Sequence, residues 1–383
     1  MVATVEGGVG TYNRAMPRTP ERWRERLRRF ADEECKDNSR LYEVLSLGMA
    51  GDGALLAFLA EVANPRAQPT LPLAAIHYLL LGGLRRSEAR ALARFYPNLT
   101  AEPESPEHAY GAFRAFVLAE RERLAPLLAM RGTQTNEVGR CSFLFPAYAI
   151  AAARVGKPLS IVDVGSSAGL TLLFDRYAYD YAGVVAGDPA SAVRIRTPMR
   201  GAPAAIAPLP AIADRVGIDL APIALDDADA VRWLEACVWP EHVERFANLR
   251  AALGVARAAQ PHVVKGNAVD VLPALIARAD REAAIVVVNT AVMLYMSRDE
   301  RARYVALLAD AGATRDVLWI ANEHPLFLRE AGFAAPLGAE RDPAELPVVL
   351  THWRAGRRDE RVLGWVGPHA RWLDWIGDAA LAS

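Results

Sequence analysis

The sequence predicts a mixed α/β fold in which a mostly parallel sheet ends in a C-terminal antiparallel hairpin and follows an all-helical N-terminal domain. Three observations predict it. Residues 20–132 show helical periodicity and no strand-like alternation. From residue 159 onward, short β-branched runs alternate with helical stretches, which is typical of parallel strands joined by helices. Two further strand candidates, 347–355 and 361–367, are joined by residues 356–360, a link of hairpin length.

Composition limits the classes of function. The chain has 383 residues with 44 basic and 45 acidic side chains, so no overall basic field is available to collect nucleic acid. Only three residues are lysine, and this skew toward arginine is more typical of a GC-rich genome than of a nucleic-acid-binding face. Hydrophobic residues form 52% of the chain, enough for a sizeable core. We therefore expect a small-molecule substrate and no nucleic acid.

Cysteine usage and apolar stretches indicate a location. Cys35, Cys141 and Cys237 are an odd number at wide spacing, which suggests neither a disulfide framework nor a metal site. The N-terminus lacks the apolar core of a signal peptide. The longest apolar stretches, such as 283–296, fall short of the roughly 18 residues that a membrane helix needs. The sequence therefore predicts a soluble, cytoplasmic protein with no membrane partner.

The N-terminal part is predicted to be an arm followed by a helical domain. Glycines and prolines without apolar periodicity predict a loosely ordered arm over residues 1–19. Pro20 starts a helix in which Trp23, Leu27 and Phe30 lie on one stripe. Further amphipathic helices are expected at 41–47, 54–62, 73–81 and 109–128. Residues 20–132 would then form a lid or substrate wall for the α/β domain.

The α/β domain is predicted over residues 133–383. The strand candidates are the apolar runs 159–165, 262–268, 283–290 and 316–324. The helical stretches between them are 170–181, 231–258 and 298–311.

The strongest local motif is a glycine loop, IVDVGSSAGL, at residues 161–170 between the first strand and the next helix. Gly165 lets the chain turn sharply off the strand, and Gly169 lets the helix pack close to the sheet. Backbone N–H groups of Ser166, Ser167 and the helix start would then face a ligand in the crevice. Ser167 stands where a dinucleotide fingerprint carries its second glycine, which argues against NAD.

Asp163, two residues before Gly165, makes this loop resemble the S-adenosylmethionine loop of class I methyltransferases. That resemblance implies a methyltransferase-like Rossmann sheet with S-adenosyl-L-methionine as the cofactor. It also implies an acid after the second strand that binds the ribose, and a polar residue after the third that contacts the adenine. The C-terminal hairpin matches the antiparallel strand that distinguishes methyltransferase sheets from dinucleotide-binding ones.

The same resemblance assigns the remaining cofactor contacts to later strand ends. Asp219 is the first candidate for the second acid, and Asp188 is its rival. Because Asp219 lies farther along the chain than in a minimal methyltransferase, an insertion is implied around residues 183–215. Asn267 fits the third position, with Asp270 one helical step beyond.

Longer segments resemble a bacterial family known only as domain of unknown function 2332. The resemblance extends over most of the chain and implies no activity, because none is established for that family. The segments that carry it are TQTNEVGRCSFLFPAYA (133–149), IVDVGSSAGLTLLFDRYAYDY (161–181), GDP-x-S-x-VRI (187–195), VGIDLAPIALDDADAVRWLEACVWPE (216–241) and NTAVMLYMSRDERARY (289–304).

A polar segment, 133–140, precedes the first strand. If it is helical, Asn136 and Arg140 share a face, as do Thr133 and Glu137. Two interpretations stay open. Glu137 pairs locally with Arg140 at a helix cap, or the planar guanidinium of Arg140 forms a fork to the methionyl carboxylate of the cofactor, with Asn136 beside it.

Candidate catalytic residues follow the fourth and fifth strands. Asn289 stands where the reacting methyl would lie, or else binds a neighbouring loop. Tyr295 either packs under the cofactor or belongs to the core. His324 suits a general base, because its pKa is intrinsically near neutral and open α/β sheets bind ligands at strand ends. Alternatively, His324 caps a loop ahead of Pro325.

Two further features concern metals and self-association. The seven histidines show no metal-binding spacing, so no metal site is expected. The segment 370–376 places Trp372, Trp375 and Ile376 at helical spacing, which favours core packing or a homodimer contact.

The leading hypothesis is an S-adenosylmethionine-dependent methyltransferase that acts on a small molecule, with in-line positioning supplying most of the catalysis. A second hypothesis is a non-catalytic nucleotide- or metabolite-binding protein that keeps the fold. A third is an NAD(P)-dependent oxidoreductase, against which the glycine spacing and the hairpin both count. The substrate and the acceptor atom stay open.

Overall fold

A computed structural model describes residues 19–134, 136–201, 208–335, 337, 341–342 and 344–377. The chain forms two compact units. The helical unit comprises Met1–Thr135 and Asp226–Ala247, and the sheet unit comprises Asn136–Leu225 and Asn248–Ser383. The arm predicted over residues 1–19 lies outside the described residues except for Thr19, which caps the first helix.

The α-helices of the described residues are, in chain order, α1 (Pro20–Phe30), α2 (Arg40–Gly51), α3 (Gly53–Val62), α4 (Thr70–Leu81), α5 (Ser87–Ala93), α6 (Ala109–Ala119), α7 (Arg121–Met130), α8 (Cys141–Val155), α9 (Ala228–Ala236), α10 (Val243–Ala259), α11 (Ala268–Arg278), α12 (Arg298–Gly312) and α13 (Pro325–Glu330). No single one of these helices is both long and apolar enough to cross a membrane. Helices α2 and α3 meet that criterion only as a pair, and the pair is bent by 93°.

The strands are β1 (Leu159–Val164), β2 (Ala178–Tyr181), β3 (Val184–Gly187), β4 (Arg194–Arg196), β5 (Met199–Arg200), β6 (Ile212–Asp219), β7 (Val263–Lys265), β8 (Ala284–Thr290), β9 (Val317–Asn322), β10 (Leu346–Arg354), β11 (Arg357–Val366) and β12 (Leu373–Trp375).

Amphipathic patterning explains the helices of the helical unit. In α1, Trp23, Leu27 and Phe30 are buried along one face, and the Thr19 hydroxyl accepts a hydrogen bond from the backbone N–H of Arg22 at 3.3 Å. Helix α4 has no polar stripe, because it is buried on all sides from residue 71 to residue 80. These buried residues of α1 and α4 belong to one hydrophobic core.

The helical unit also takes in residues 226–247, which the sequence pattern assigns to the α/β domain. Helix α9 buries Trp233, whose indole Nε1 donates to the carbonyl of Gly132 at 2.9 Å. The ring Nδ1 of His77 in α4 lies 3.1 Å from the carbonyl oxygen of Ala236. Periodicity along the sequence predicts a helix here but not the distant helices against which its apolar face packs.

The main sheet has nine strands in the order β5-β12-β11-β10-β9-β8-β1-β6-β7. From β7 to β9 all neighbours are parallel. Strands β1 and β8 are buried along their whole length, which is why their sequences are uninterrupted apolar runs. The predicted α/β architecture with a mostly parallel sheet is confirmed. Strand order reverses between β1 and β8, and ligands of open α/β sheets bind at such points.

The predicted C-terminal hairpin is confirmed, with β10 antiparallel to both β11 and β9. Its turn is Ala355 and Gly356, shorter than the link expected at 356–360. Both residues have positive φ (49° and 74°), which a tight hairpin turn requires. The helical spacing inferred for residues 370–376 is wrong, because Leu373–Trp375 instead completes the backbone ladder at the edge of β11.

The chain after the glycine loop also differs from expectation. Residues 170–181 do not form an α-helix: Leu170–Arg176 is a 3-10 helix, and β2 follows in a small sheet of order β3-β2-β4. The hydroxyl of Tyr179 donates to the carbonyl of Phe174 at 2.6 Å, which helps to hold this aromatic run extended. Strands β3 and β4 fall within the segment 183–215, where the sequence implies an insertion.

Candidate functional site

Polar side chains of the sheet unit gather where β1, β6, β8 and β9 end. In the sheet register, Val164 of β1 lies beside Ile218 of β6 and Asn289 of β8, so the loops that follow these strands meet at one edge. We call this group the strand-end cluster. Its residues are Arg140, Asp163, Asp219, Thr290, Tyr295 and Glu323.

The two glycines of the loop have the backbone conformations and close contacts that the sequence predicts. Gly165 has a φ of +78°, and a Cβ placed there would lie 2.4 Å from Cγ2 of Val292. Gly169 has a φ of +71°, and a Cβ there would lie 3.0 Å from Cβ of Pro261. Both positions therefore require glycine. Ser167 also adopts a left-handed conformation, with a φ of 54°.

The N–H groups of the loop are largely engaged within the protein. The groups bonded in this way, with their acceptors, are Gly165 and Ser166 (Ile218 O), Ser167 (Asp219 Oδ2), Gly169 (Ser166 O) and Leu170 (Asn136 Oδ1). The helix that follows is a seven-residue 3-10 helix, not the expected α-helix. The loop therefore does not present the row of N–H donors that the sequence pattern predicts, and a diphosphate finds no such cradle here.

Asn136 fastens the loop from the side. Its Nδ2 donates to the carbonyl of Ser166 at 3.1 Å, and its Oδ1 accepts from the N–H of Leu170 at 3.3 Å. Asn136 thus positions the loop through its amide, and the cofactor contact proposed for it stays a prediction. Ser166 is also turned inward: it is 1% exposed, and its hydroxyl packs against Gly217 of β6.

Asp163 is buried at the end of β1, with 4% of its surface exposed. The hydroxyl of Thr171 donates to its Oδ2. Burial raises the pKa of Asp163 to about 6, although the Thr171 hydrogen bond and the charge of Arg140 act in the opposite direction. The sequence does not predict that Thr171 binds Asp163, because a threonine eight residues after an acid is not a recognisable motif.

Asp219 ends β6, directly beside the glycine loop. Its Oδ2 accepts from the N–H of Ser167 and its Oδ1 from the N–H of Ala221, each at 2.8 Å, and a carboxylate oxygen has lone pairs for further donors. The next residue, Leu220, is 65% exposed. Asp188 instead follows β3 in the small sheet. Only Asp219 ends a strand adjacent to β1, which favours it over Asp188 as the second acid.

Arg140 connects the segment before α8 to the end of β8. Its Nη1 donates to the carbonyl and to Oγ1 of Thr290, each at 3.1 Å. Burial lowers the pKa of Arg140, whereas the nearby charges of Glu137, Glu323 and Asp163 raise it. Within the described residues its guanidinium makes no other hydrogen bond, so further N–H donors remain for an anionic group. Glu137 caps the 3-10 turn Val138–Arg140 by accepting from the N–H of Gly139 at 3.0 Å. One of the two interpretations expects this cap, but the bonds of Arg140 go to Thr290.

Glu323 is the residue that the sequence argument missed. It is 1% exposed, and its Oε1 accepts from Nδ2 of Asn289 and from the N–H of Val292, each at 2.7 Å. Burial raises the pKa of Glu323 to about 7, although these two bonds and one from the N–H of Met293 lower it. The carboxylate thereby fixes the turn after β8 and keeps Val292 over Gly165. The available signal was an acid directly after a fully buried strand.

Asn289 has a structural environment rather than the predicted catalytic one. It is fully buried. Its Oδ1 accepts from the hydroxyl of Tyr304 at 3.2 Å and from Nε1 of Trp319, while its Nδ2 donates to Glu323. The amide oxygen is therefore not available to a substrate, and Asn289 acts by positioning Glu323.

His324 caps α13, as the alternative interpretation expects. Its Nδ1 accepts from the N–H of Leu326 at 3.2 Å, so the neutral ring carries its proton on Nε2. Burial lowers the pKa of His324. The predicted general-base role does not fit this geometry, because one ring nitrogen is engaged and the other is protonated.

Tyr295 lies at the rim of the strand-end cluster. It ends the 3-10 turn Met293–Tyr295 and is 65% exposed, which excludes the interpretation of a core residue. Its phenol lies near the charges of Arg140 and Glu323, which act on its pKa in opposite directions.

Asn267 and Asp270, for which the resemblance implies adenine contacts, both have partners within the protein. Asn267 is the N-cap of α11: its Oδ1 accepts from the N–H of Val269 at 3.1 Å, and its Nδ2 donates to Glu300 at 2.9 Å. Asp270 is exposed and lies 3.8 Å from the guanidinium of Arg303. An asparagine between a strand and a helix has the same sequence pattern whether it caps the helix or binds a base.

Comparisons with known proteins give a family. The family model described as "Uncharacterized protein conserved in bacteria (DUF2332)" matches residues 24–375. No curated protein and no solved structure matches the chain.

Proposed function

We propose that this chain, which belongs to the bacterial DUF2332 family, binds S-adenosylmethionine at the strand-end cluster and transfers its methyl group to a small molecule. The observation that carries the proposal is the chemistry around the glycine loop. The carboxylates of Asp163, Asp219 and Glu323 lie there, while the loop N–H groups are used by the protein itself. Such a site suits a ligand with cationic and hydroxyl groups and no phosphate, and S-adenosylmethionine is one.

Each part of S-adenosylmethionine has a residue of matching chemistry in this region. The N–H donors of Arg140 that Thr290 does not use suit its carboxylate. The remaining lone pairs of Asp219 suit the ribose hydroxyls. The exposed side chain of Leu220 suits an apolar face of the adenine. The negative charge of Asp163 favours the cationic end of the ligand.

The sheet supports a methyltransferase over an NAD(P)-dependent oxidoreductase. A dinucleotide-binding sheet continues as parallel strands in the order 3-2-1-4-5-6. Here the strand beside β9 is β10, which is antiparallel. Together with the engaged N–H groups of the loop, this counts against a ligand held by its pyrophosphate.

When bound, S-adenosylmethionine supplies a methyl group on a positively charged sulfur. The residues of the chain contribute mainly by position. Glu323 holds the turn after β8 through the N–H of Val292, and this turn leads to Tyr295. Tyr295, at 65% exposure, is the residue of the cluster that we assign to contact the acceptor.

One alternative has a specific observation in its favour. Asn289 and His324, which the sequence suggests as catalytic, are both engaged in structural hydrogen bonds. This favours a protein that binds the same ligand without transferring the methyl group. The two proposals share the binding step and differ in turnover, so an acceptor screen with labelled S-adenosylmethionine separates them once binding is measured.

The binding step is tested by calorimetric titration of S-adenosylhomocysteine into the wild type and three variants. We expect Asp163→Asn and Asp219→Asn to weaken binding by at least about tenfold, because each removes a charged partner of the ligand. Asp188→Asn is the matched control, since Asp188 is exposed beside the small sheet, and it should bind like the wild type. No heat with the wild type, or an equal loss in Asp188→Asn, would contradict the proposal.

A further inference from the structure

A second group of charged residues lies in the helical unit and belongs to none of the features described so far. It lines a surface cavity of about 330 Å³ between the end of α4, the start of α5 and the helices α6 and α7. We call it the arginine cavity. Its lining includes Arg85, Arg86, Arg123 and Glu120, with Leu79 and Phe116 among the apolar residues.

Glu120 holds two of these arginines in place. Its side chain is nearly fully buried, and its two oxygens are shared between them. Oε1 lies 3.2 Å from Nε of Arg86, and Oε2 lies 2.8 Å from Nη1 of Arg123. Arg86 also donates through Nη1 to the carbonyl of Ala119 at 3.2 Å. Two guanidinium groups are thus fixed before any ligand arrives, which reduces the entropic cost of binding.

The lining carries more positive charge than Glu120 can neutralise. Three arginines face one carboxylate, which leaves an excess of two positive charges. Arg85 makes no side-chain hydrogen bond to the described residues. Arg86 and Arg123 each have N–H donors beyond those that Glu120 and Ala119 use, because a guanidinium has five.

We propose that the arginine cavity binds a small ligand through a phosphate or carboxylate group. Guanidinium groups match the oxygens of both groups through paired hydrogen bonds. The volume of about 330 Å³ lies at the lower end of the range for ligand pockets, which limits the ligand to a small molecule. The apolar side chains of Leu79 and Phe116 in the lining reduce local screening of the charges. The site is independent of the methyl-transfer proposal.

The test measures the melting temperature of the full chain in inorganic phosphate, citrate and chloride at equal ionic strength. A ligand that binds the folded state raises the melting temperature by mass action. We expect phosphate or citrate to raise it beyond chloride in the wild type. Arg85→Gln should reduce this response, and the double variant Arg85→Gln/Arg123→Gln should reduce it to the general stabilisation that excluded anions give any folded protein. A response to only one of the two anions identifies the group that the cavity binds.

The matched control removes two arginines elsewhere in the same unit. Arg28 and Arg29 are exposed on α1, and Arg28→Gln/Arg29→Gln should keep the full response. A wild type that responds to phosphate and citrate no more than to chloride would overturn the proposal. A double cavity variant that still responds like the wild type would also overturn it. Because Arg85 makes no side-chain bond to the described residues, its single variant remains informative if the double variant does not fold.

Discussion

Replacing Asp163 with asparagine should make the protein more stable while it weakens binding of S-adenosylhomocysteine. The Asp163 carboxyl is 4% exposed, and burial raises its pKa from 3.8 to about 6. One pKa unit corresponds to about 1.4 kcal/mol, so the ionised carboxylate costs about 3 kcal/mol at about pH 7 relative to an exposed one. Asparagine keeps an acceptor for the hydroxyl of Thr171 and carries no charge. The variant should recover up to that amount of unfolding free energy.

The raised pKa of Asp163 determines how the stability difference between the variant and the wild type changes with pH. Between pH 3.8 and about 6 the folded protein holds the Asp163 proton more tightly than the unfolded chain does. The unfolding free energy of the wild type therefore falls as the pH rises through this window. The Asp163→Asn variant has no carboxyl at this position, so its unfolding free energy does not fall for this reason. The gap between the two should be absent below about pH 4 and complete above about pH 6.

The assay is thermal unfolding of wild type and Asp163→Asn across this pH range. A gain of about 3 kcal/mol corresponds to a rise in melting temperature of up to about 10 °C for a unit of this size. Asp188→Asn, at an exposed position, should melt like the wild type throughout. A variant that is less stable than the wild type at neutral pH, or a gap that does not shrink on acidification, would refute the reasoning.

Substitutions at three further positions test the geometry around the sheet. Glu323→Gln keeps an acceptor for the turn after β8 and should be at least as stable as the wild type at about pH 8. Glu323→Ala leaves buried donors unpaired and should lose roughly 2–4 kcal/mol in urea unfolding. Equal losses of stability in both variants would contradict this prediction. Burial raises the pKa of Asp316, but hydrogen bonds from Lys157 and His352 outweigh it, and the pKa is lowered on balance. Asp316→Asn should therefore lose about 1–3 kcal/mol of unfolding free energy at neutral pH. This loss should disappear as the pH falls through that lowered pKa. A melting series in which the loss does not depend on pH would be evidence against the prediction. Gly165→Ala places a Cβ 2.4 Å from a valine side chain at a φ of +78°. The variant should lose roughly 2–4 kcal/mol of unfolding free energy together with S-adenosylhomocysteine binding. An unchanged melting temperature and affinity would exclude the proposed close approach.

The parts of the fold that the sequence predicts are those with local causes. Strands β1 and β8 are buried on both faces, and only a continuous apolar run satisfies that environment. Residues 170–181 have the composition of a helix, yet β2 forms there because it pairs with β3 and β4. Segment 370–376 likewise takes its conformation from the edge of β11. In both cases pairing with a neighbouring strand decides the conformation, and the periodicity of the segment itself does not reveal that pairing.

The residues of the candidate site also differ in whether the sequence could predict their role. Gly165 and Gly169 could be predicted, because a strand followed by a sharp turn requires their conformations. The engagement of Asn289 could not, since its partners Tyr304 and Trp319 lie on later elements. The His324 cap has a local cause, a bond from the N–H of Leu326, and it is one of the two interpretations that the sequence leaves open. Glu323 went unnoticed because an acid after a strand is common, and only the structure reveals the buried donors around it.

The most direct test of the central claim is a calorimetric titration of S-adenosylhomocysteine and NADH, side by side, into the wild-type protein at neutral pH. The chemistry of the strand-end cluster predicts micromolar binding of S-adenosylhomocysteine and no heat with NADH, because carboxylates lie around the glycine loop and its N–H groups are engaged. Binding of NADH without binding of S-adenosylhomocysteine would contradict the account, and so would the absence of heat with both.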